Sequence, residues 1–440
     1  MAPDSTLPVE LPADPDASMH NLMRRLFPIC RSITGNGVRE TLRILGEGLP
    51  LAIREVPSGT PVLDWIVPEE WNVRNAWIER LSGERVVDFS RNNLHLVQYS
   101  VPVDRVVPME ELRRHIHTLP ETPDWVPYRT AYYARSWGFC LAHRTLETMQ
   151  DPAYRVLIDS TLAPGHLTYG EMLLEGESED EVLLSIHCCH PSLANDNLSG
   201  MVVARALAQH LVTRRRRLSY RFLFIPGTIG SITWLACNGD KVDRIKHGLV
   251  LTCLGDSGSM TYKRTRRGNA PIDRIVEHVL KHKGAPSRIT PFIPYGYDER
   301  QYCSPGFNLP VGSLMRSPNG SFDEYHTSAD NLDFVQPDAL ADSLATLLSV
   351  IDILEQDGAF LNTNPRGEPQ LGRRGLYREV GGQRDGGGYD QLTLLWVLNL
   401  SDGGHSLLDI ATRAEQPFHK VKAAADALLE VGLLEPVNSR

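Results

Sequence analysis

Short apolar segments alternate with helix-like segments through the middle of this 440-residue sequence. From Tyr154 onward the chain contains YRVLIDSTL and EVLLSIHCCH, then SGMVVARALAQHLV, whose apolar residues have helical spacing. Two further apolar segments follow, SYRFLFIPGTIG and HGLVLTCLGD, and ALADSLATLLSVIDILEQ predicts a long amphipathic helix. Apolar strands separated by helices indicate an α/β fold with helices on both faces of the sheet. Ligands of such sheets bind at the carboxyl ends of the strands, where HCCH, PGTIG and LGDSG lie.

The composition is typical of a soluble globular protein, and several functional classes do not fit it. A formal net charge of -9 argues against a nucleic-acid surface over the whole chain. No apolar run approaches the roughly 20 residues that span a bilayer. Residues 1–18 are acidic and proline-rich, which predicts a disordered leader rather than a signal peptide. We therefore expect a cytoplasmic protein, with its seven dispersed cysteines present as reduced thiols.

Changes in amino-acid composition and apolar patterning divide the chain into predicted domains. Residues 53–133 are rich in Val, Trp and Pro, with alternating patterns such as NNLHLVQYS, and predict a β-rich insertion. The flanking segments 19–52 and 134–365 then form the α/β domain. The glycine-rich stretch GGQRDGGGYD separates off a last segment, which predicts three helices followed by a short strand. This pattern is typical of a winged helix, and we place that domain at residues 372–438.

The winged-helix segment is weakly acidic. From Gln391 to Arg440 it has four Lys or Arg residues and six Asp or Glu residues. Because a winged helix that reads DNA is normally basic, the charge favours a packing or partner-binding role over DNA binding.

Two histidines and one aspartate stand out as candidate metal ligands. His187 ends the segment EVLLSIH, and Asp196 follows nine residues later in NDNLSG, where a helix begins. His326 lies in the turn-rich stretch SFDEYHTSADNLDFV. Two histidines and one carboxylate form a typical catalytic zinc set, because three protein ligands leave a coordination position open. The alternative for the first pair is structural: Asp196 caps the helix and His187 is a buried core histidine.

The residues between these ligands offer further chemistry. Cys188, Cys189 and His190 are additional candidate ligands, and the alternation of a strand directs Cys189 to the same side as His187. A redox role for the adjacent cysteines is weakly supported, because thioredoxin-like motifs have two residues between their cysteines. A cysteine nucleophile paired with His190 or His187 is a second alternative, although no orienting partner is evident.

The order of these motifs resembles the zinc-dependent aminopeptidases of the bacterial leucyl-aminopeptidase and glutaminyl-cyclase superfamily. The longer stretches LFPICRSITGNGVRETL, HCCHPSLANDNLSG, DERQYCSPGFNLPVGSLMR and EYHTSADNLDF are similar to those of a bacterial aminopeptidase-like family. That family joins a zinc-peptidase domain with a β-rich insertion to a C-terminal winged helix. The resemblance covers the chain from about Met19 to Pro436, and it implies a mixed sheet flanked by helices. It also implies that His187, Asp196 and His326 are the metal ligands.

Three acidic residues of the superfamily's site are absent at the matching positions of this sequence. A pair of glutamates is expected in the stretch that here reads Pro226, Gly227, Thr228, the first as general base and the second as metal ligand, and Gly227 stands where the base is expected. A further acidic ligand is expected where Thr252 or Cys253 stands, with Asp256 a few residues beyond. Because the remaining donors are too few for two ions, we expect one zinc ion.

The missing base leaves three explanations. A base that takes the proton of the attacking water typically accelerates hydrolysis by about 10²–10⁴-fold, and Gly227 has no side chain for this task. Another group can act instead, with Asp298, Glu299, Asp256 and His190 as candidates. Alternatively, the site performs an acyl or aminoacyl transfer that needs no such base. Finally, the chain can have lost its activity while retaining zinc or substrate binding.

The stretch YGYDERQYCSPGFNLP predicts one wall of a substrate site. Asp298 or Glu299 can hold a substrate amine, and Arg300 can bind a carbonyl or carboxylate group. We expect Tyr302 and Asn197 to contact the substrate as well. The alternative is a solvated charged loop with no role in binding.

These features predict a zinc-dependent hydrolase that cleaves an amide or peptide bond at an amino-terminal residue. The expected partner is a small peptide or an amino-acid conjugate, with no membrane and no DNA, and a homo-oligomer is left open. The competing hypotheses are a non-hydrolytic transferase or substrate-binding protein on the same fold and, with less support, a winged-helix regulator.

Overall fold

A computed structural model describes residues 15–376 and 388–437. Most of the predicted leader, residues 1–18, and most of the glycine-rich stretch 381–390 lie outside the described residues. The helices are α1 (Pro15–Leu26), α2 (Asn36–Leu45), α3 (Met109–Leu112), α4 (His143–Glu147), α5 (Gly200–Val212), α6 (Ile229–Cys237), α7 (Pro271–His282), α8 (Glu299–Tyr302), α9 (Pro337–Gln356), α10 (Gln391–Leu400), α11 (Leu407–Arg413) and α12 (Phe418–Glu430).

Most of the strands are short. They are β1 (Ala52–Pro57), β2 (Pro61–Val62), β3 (Trp65–Ile66), β4 (Glu70–Arg80), β5 (Arg85–Asp88), β6 (Val103–Pro108), β7 (Ile116–His117), β8 (Phe139–Cys140), β9 (Ala153–Ala163), β10 (His166–Leu174), β11 (Glu181–His187), β12 (Ser219–Ile225), β13 (Ile245–Leu251), β14 (Met260–Lys263), β15 (Ser287–Thr290), β16 (Val311–Met315), β17 (Ala359–Asn362), β18 (Asp402–Ser406) and β19 (Leu434–Pro436).

An eight-stranded mixed sheet forms the centre of the larger part of the chain. Its strand order is β1-β10-β12-β11-β13-β16-β14-β15. The inner strands β12, β11, β13 and β16 are parallel, and every residue of β11, β12 and β16 is buried. Continuous apolar strands of this kind are stable only when both faces of the sheet are covered. The predicted α/β fold with a mixed sheet is therefore confirmed.

A separate antiparallel sheet has the strand order β5-β4-β9-β6. Strand β9 pairs with β4 and β6 in this sheet, whereas the sequence pattern placed it with the strands of the α/β domain. Along β9 buried positions alternate with more exposed ones, which suits a strand with one covered face. Strand β1 pairs instead with β10 in the central sheet. The domain bounds 19–52, 53–133 and 134–365 stay predictions.

The chain divides into two compact units, residues 1–272 with 288–345 and residues 273–287 with 346–440. In the second unit, helices α10, α11 and α12 accompany an antiparallel sheet with the order β18-β17-β19. Helix α11 begins with a capping box, in which the side chains of Ser406 and Asp409 each bind the other residue's backbone N–H. The predicted winged helix is therefore confirmed. Its sheet includes two strands, β17 and β18, that the sequence analysis did not predict.

Parallel pairing brings the carboxyl ends of β11, β12 and β13 to one edge of the central sheet. Strand β11 ends at His187, and the buried turn Ala194–Ser199 leads from it into α5. This edge is where the ligands of α/β sheets bind. Among the described residues, no helix is both long and apolar enough to cross a bilayer.

Candidate metal and active site

A buried carboxylate is the centre of the candidate site. Asp196 lies in the turn Ala194–Ser199, and its Oδ1 is 2.7 Å from Nε2 of His187. Both side chains are fully buried. A carboxylate is stable in such an environment only when polar partners replace its lost water.

His326 contacts the other oxygen of the same carboxylate. Its Nε2 is 3.0 Å from Oδ2 of Asp196, and 32% of its side chain is exposed. His326 therefore lies on the open side of the cluster. The structure thus brings together the three metal ligands predicted from the sequence, His187, Asp196 and His326.

His190 also faces the carboxylate. Its Nδ1 lies 3.7 Å from Oδ1 of Asp196, and the ligand atoms of His187, His190 and Asp196 all lie within 4.8 Å of one another. The Nδ1 atom is buried and has no hydrogen-bond partner among the described residues. A buried ring nitrogen without a partner is unfavourable unless another group uses its lone pair.

The electrostatic environment favours an anionic aspartate beside neutral imidazole. Burial would raise the pKa of Asp196, but the neighbouring His190 ring and the hydrogen bonds of His187 and His326 hold it well below its usual value. Burial lowers the pKa of His190 well below its usual value as well. Neutral imidazole and ionised carboxylate are the forms that bind a metal ion. These donors, with one unpartnered nitrogen, therefore fit a metal ion, and His326 supplies a further donor from the open side.

Buried polar residues behind the cluster hold its ligands in place. The Asn197 side-chain amide donates to the backbone carbonyl groups of His187 (3.3 Å) and Leu251 (3.0 Å), and its Oδ1 accepts from the backbone N–H of Cys253. Asn197, predicted to contact substrate, is thus buried and bonded within the fold. Such outer contacts orient the metal ligands of proteins.

Asp330 joins the two loops that carry the ligands. Its two carboxylate oxygens accept the backbone N–H groups of Asn195 (2.5 Å) and Asp196 (2.9 Å), and its own carbonyl accepts that of Ala194. Burial raises the pKa of Asp330 to about 7, against the effect of these hydrogen bonds. Asp330 lies four residues after His326, so it links the His326 loop to the turn of Asp196.

Asp256, a candidate base and substitute ligand, is held by hydrogen bonds within the fold. Its oxygens accept hydrogen bonds from Asn195 (2.9 Å) and from the hydroxyl of Ser317 (2.7 Å). The two other positions considered for an acidic ligand, Thr252 and Cys253, are also buried.

Three tyrosine rings surround the histidines. Tyr325 stacks on His326 with ring centroids 3.9 Å apart, and Tyr128 meets both His190 and His326 edge to face. Tyr297 stacks on His187 at 3.9 Å. These rings exclude water from part of the cluster and so strengthen the polar contacts inside it.

Asp298 lies beside the position where the general base was expected. Its Oδ1 accepts from the backbone N–H of Thr228 (2.6 Å) and from the Ser231 hydroxyl (2.9 Å), which follow Gly227 in the chain. Its Oδ2 is buried and has no hydrogen-bond partner among the described residues. Burial raises the pKa of Asp298 to about 6, although His187 and the two hydrogen bonds oppose this effect.

The other residues of the predicted substrate wall differ in their surroundings. Glu299 is buried and forms an ion pair with the buried Lys263. Tyr302 is also buried, and its hydroxyl lies 3.0 Å from that of Ser185. Arg300 is half-buried, and its Nε has no hydrogen-bond partner within the described residues.

The adjacent cysteines are part of the buried wall of the site. The sulfur of Cys189 accepts the backbone N–H of Gly227 at 3.3 Å. Burial raises the pKa of Cys189 to about 12 and that of Cys188 well above its usual value. Since the thiolate is the reactive form, these thiols are poor nucleophiles in this environment.

Sequence reasoning missed several residues of this arrangement. It treated His190 only as one of several possible ligands or bases, and it gave no role to Tyr297, Tyr325 or Asp330. The signal for Asp330 was available, because an aspartate in a turn next to a ligand loop often accepts backbone N–H groups. No local signal identifies Tyr297, whose partners lie far away in sequence.

Comparison with known proteins relates both parts of the chain to described families. Residues 20–357 match a family described as a domain of unknown function (DUF4910), and residues 359–436 match a winged helix-turn-helix family. A Clostridium acetobutylicum protein is 52% identical over 419 residues, which are 95% of this chain and 96% of the relative. Its provisional name is polysaccharide biosynthesis protein with aminopeptidase-like domain.

Solved structures show the same fold. A crystal structure of a provisionally named peptidase from Clostridium acetobutylicum matches with a TM-score of 0.92 and 51% identity, over 96% of both chains. A zinc aminopeptidase from Bacillus subtilis matches with a TM-score of 0.56 and 12% identity, over 78% of this chain and 96% of the other. A peptidase M28 precursor from Shewanella amazonensis has a TM-score of 0.52 and 13% identity, over 77% and 93% of the two chains. The fold is therefore that of the zinc aminopeptidases.

Proposed function

This chain belongs to the DUF4910 family, and we propose that it is a zinc-dependent hydrolase of an amide or peptide bond at an amino-terminal residue. The buried carboxylate of Asp196 carries the proposal, because His187 and His326 bind its two oxygens while the free Nδ1 of His190 faces it. Imidazole and carboxylate are the ligands that catalytic zinc commonly has. When bound, a zinc ion supplies a Lewis acid that polarises a carbonyl group and makes water more acidic.

Asp298 is the general base in this proposal. Its Oδ2 is free to accept a proton, and its pKa of about 6 leaves it ionised at neutral pH. A base with a pKa near the working pH is the most effective one. Glu299 is less suited to this task because it is already paired with Lys263.

A cavity in the same unit of the chain is the proposed place for the side group of the substrate. It has a volume of about 400 Å³, and its lining includes Lys263, Arg288, Tyr295, Gly296 and Asn319. Gly296, one of its lining residues, directly precedes Tyr297 in the chain, and the side chain of Tyr297 contacts His187 and His190. Its lining includes two cations and, among the described residues, no carboxylate; Lys263 is already paired with Glu299, so Arg288 is the cation that favours a substrate with an acidic side group.

A second candidate is a substrate-binding protein or transferase without hydrolytic activity. The observation that favours it is Gly227, which replaces the glutamate that the resemblance leads us to expect. The Clostridium acetobutylicum relative is named for polysaccharide biosynthesis, so we include carbohydrate conjugates among the substrates to be tested on this chain.

The test is an assay of the zinc-loaded full chain against aminoacyl anilides and aminoacyl amides of amino sugars. We expect hydrolysis by the wild type, its loss in His187→Ala, and a decrease of about 10²–10⁴-fold in Asp298→Asn. The matched control is Asp64→Asn, at an exposed aspartate, which should retain activity. If the zinc-loaded wild type hydrolyses none of these compounds, the hydrolase proposal is wrong. Saturable binding of the same compounds would then support the second candidate.

A further inference from the structure

The ring of Tyr297 fills the space beside Gly227. A Cβ atom built at Gly227 would overlap Cε1 of this ring and would lie 3.0 Å from its hydroxyl oxygen. Any side chain at position 227 therefore requires the ring to move. A base was expected at position 227. The glycine found there instead leaves room for the ring of Tyr297.

From this space, Tyr297 reaches two members of the metal cluster. Its ring stacks on His187 with an interplanar angle of 23°, and its hydroxyl oxygen lies 2.9 Å from Nε2 of His190. The second contact decides which nitrogen of His190 is available. With Nε2 bound to Tyr297, the unpartnered Nδ1 is the nitrogen that faces Asp196.

The tautomer follows from the chemistry of an imidazole ligand. A neutral imidazole has one N–H group and one lone pair, and only the nitrogen with the lone pair binds a metal. If Nδ1 is the ligand, Nε2 carries the hydrogen and donates it to the oxygen of Tyr297. Loss of that oxygen would leave a buried N–H group without an acceptor, which is unfavourable.

The loop that carries Tyr297 is anchored independently of the cluster. The backbone N–H of Tyr297 donates to the carboxylate of Glu299 (3.1 Å), which is paired with the buried Lys263. This hydrogen bond fixes the backbone of Tyr297, and the lack of a side chain at Gly227 leaves space for the tyrosine ring.

We propose that Tyr297 is a positioning residue that fixes His190 as a metal ligand through Nδ1, and that Gly227 is required for this contact. The inference rests on the proposed function only for the presence of a metal ion. Gly227 then does more than leave the site without a base at this position: it provides the space that Tyr297 needs to contact His190.

The experiment measures zinc binding to the metal-free full chain by competition with a chromophoric chelator. We expect Tyr297→Phe and Gly227→Ala each to weaken zinc binding by about 10–100-fold, as outer-shell changes do. The double variant should be no weaker than the single ones, because both changes break the same contact. Thermal unfolding of each variant checks that the chain is folded.

Two matched controls isolate the contact. Tyr154→Phe removes the hydroxyl of another buried tyrosine, which accepts the backbone N–H of Asp151. Gly306→Ala adds a methyl group where no atom lies within 4 Å. Both variants should bind zinc within about threefold of the wild type, which is about 0.7 kcal/mol.

A second measurement separates positioning from a general structural effect. In chain labelled with ¹⁵N-histidine, we expect the wild-type His190 to carry its hydrogen on Nε2, and Tyr297→Phe to change that tautomer. Unchanged zinc affinity and an unchanged tautomer in Tyr297→Phe would overturn the proposal, as would a wild-type chain that binds no zinc. Zinc binding that depends on Tyr297 without any hydrolysis would support this proposal and contradict only the hydrolase.

Discussion

Asp196 is a buried charge whose stability depends on the imidazoles around it. Breaking a buried pair by removing one partner typically costs about 3–5 kcal/mol, because the other charge loses its compensation. In this site His187 and His190 face one carboxylate oxygen and His326 faces the other. The histidines are therefore not equivalent, and variants can distinguish their roles.

We expect His187→Ala and His190→Ala to abolish stoichiometric zinc binding, because both remove ligands from the buried side of Asp196. His326→Ala should retain zinc with weaker affinity, since this ring is partly exposed and contacts the opposite oxygen. Metal content after dialysis, measured by atomic emission, decides between the two outcomes. Loss of zinc in His326→Ala with retention in His190→Ala would instead support the ligand set His187, Asp196 and His326.

Asp298 gives a prediction of pH-dependent stability. Its folded pKa of about 6 lies above its usual value of 3.8, so its ionisation costs folding free energy that grows between about pH 4 and pH 6. Asp298→Asn keeps an oxygen that accepts from Thr228 and Ser231 but removes this cost. We expect the variant to be more stable than the wild type by about 1–3 kcal/mol at pH 8, with the difference vanishing near pH 4.

Thermal unfolding at both pH values measures the effect of Asp298→Asn. The control, Asp64→Asn, changes an exposed aspartate and should leave the melting temperature unchanged at either pH. A stability difference of the same size at pH 4 and pH 8 would contradict the role given to ionisation. Asp298→Asn is thus expected to be more stable and less active than the wild type, which is a common result of replacing a catalytic group.

At the scale of elements, two loops meet through one aspartate. Asp330 accepts backbone N–H groups of the turn Ala194–Ser199, so the His326 loop and the Asp196 turn are held together. We expect Asp330→Ala to weaken zinc binding by about 10–100-fold and to lower stability by about 1–3 kcal/mol per unsatisfied N–H group. Zinc titration and thermal unfolding measure both. Normal zinc affinity in a destabilised variant would limit Asp330 to folding.

The cavity proposed for the side group of the substrate predicts a preference among substrates. Arg288 on β15 is exposed and lines this cavity, whereas Lys263 is already paired with Glu299. For an active chain, we expect a glutamyl substrate to be preferred over its glutaminyl analogue by about tenfold. Arg288→Glu should reverse that order, since like charges repel within the cavity. If the wild type and Arg288→Glu have the same ratio of kcat/KM for the glutamyl and glutaminyl substrates, the proposal of an acidic side group is wrong.

Elements with strong local patterns were predictable from the sequence. Strands β11 and β12 are continuous apolar runs, and α5 and α9 have apolar residues at helical spacing. The stretch NNLHLVQYS was predicted to be β-structure, but it begins with a 3₁₀ turn, Asn93–His95, and continues with isolated bridges. Its conformation depends on contacts with distant residues, which a local pattern does not contain.

The candidate site was predictable to a similar degree. His187 and Asp196 are nine residues apart, so their joint position follows from one strand end and the next helix start. His326 was identified only through its turn-rich context and the resemblance, because it is distant in sequence. The contact of Tyr297 with His190 depends on the space beside Gly227, and no sequence pattern encodes such a space.

At the scale of the whole molecule, a metal ion that binds only the folded chain should stabilise it. At a free zinc concentration 1,000 times the dissociation constant the gain is about 4.1 kcal/mol. The ligands lie in the unit formed by residues 1–272 and 288–345, and the winged helix belongs to the other unit. Zinc should therefore protect the two parts of the chain to different extents.

We expect dialysis against a chelator to lower the melting temperature and zinc to restore it, with an increase that follows the logarithm of zinc concentration. In hydrogen exchange followed by mass spectrometry, zinc should slow exchange most around Asp196 and His326, and least in α10–α12. Asp196→Asn, which removes the central charge, should make the melting temperature independent of zinc. If zinc instead protected the winged helix most strongly, the ion would bind outside the cluster, and the assignment of the metal site to His187, His190 and Asp196 would be wrong.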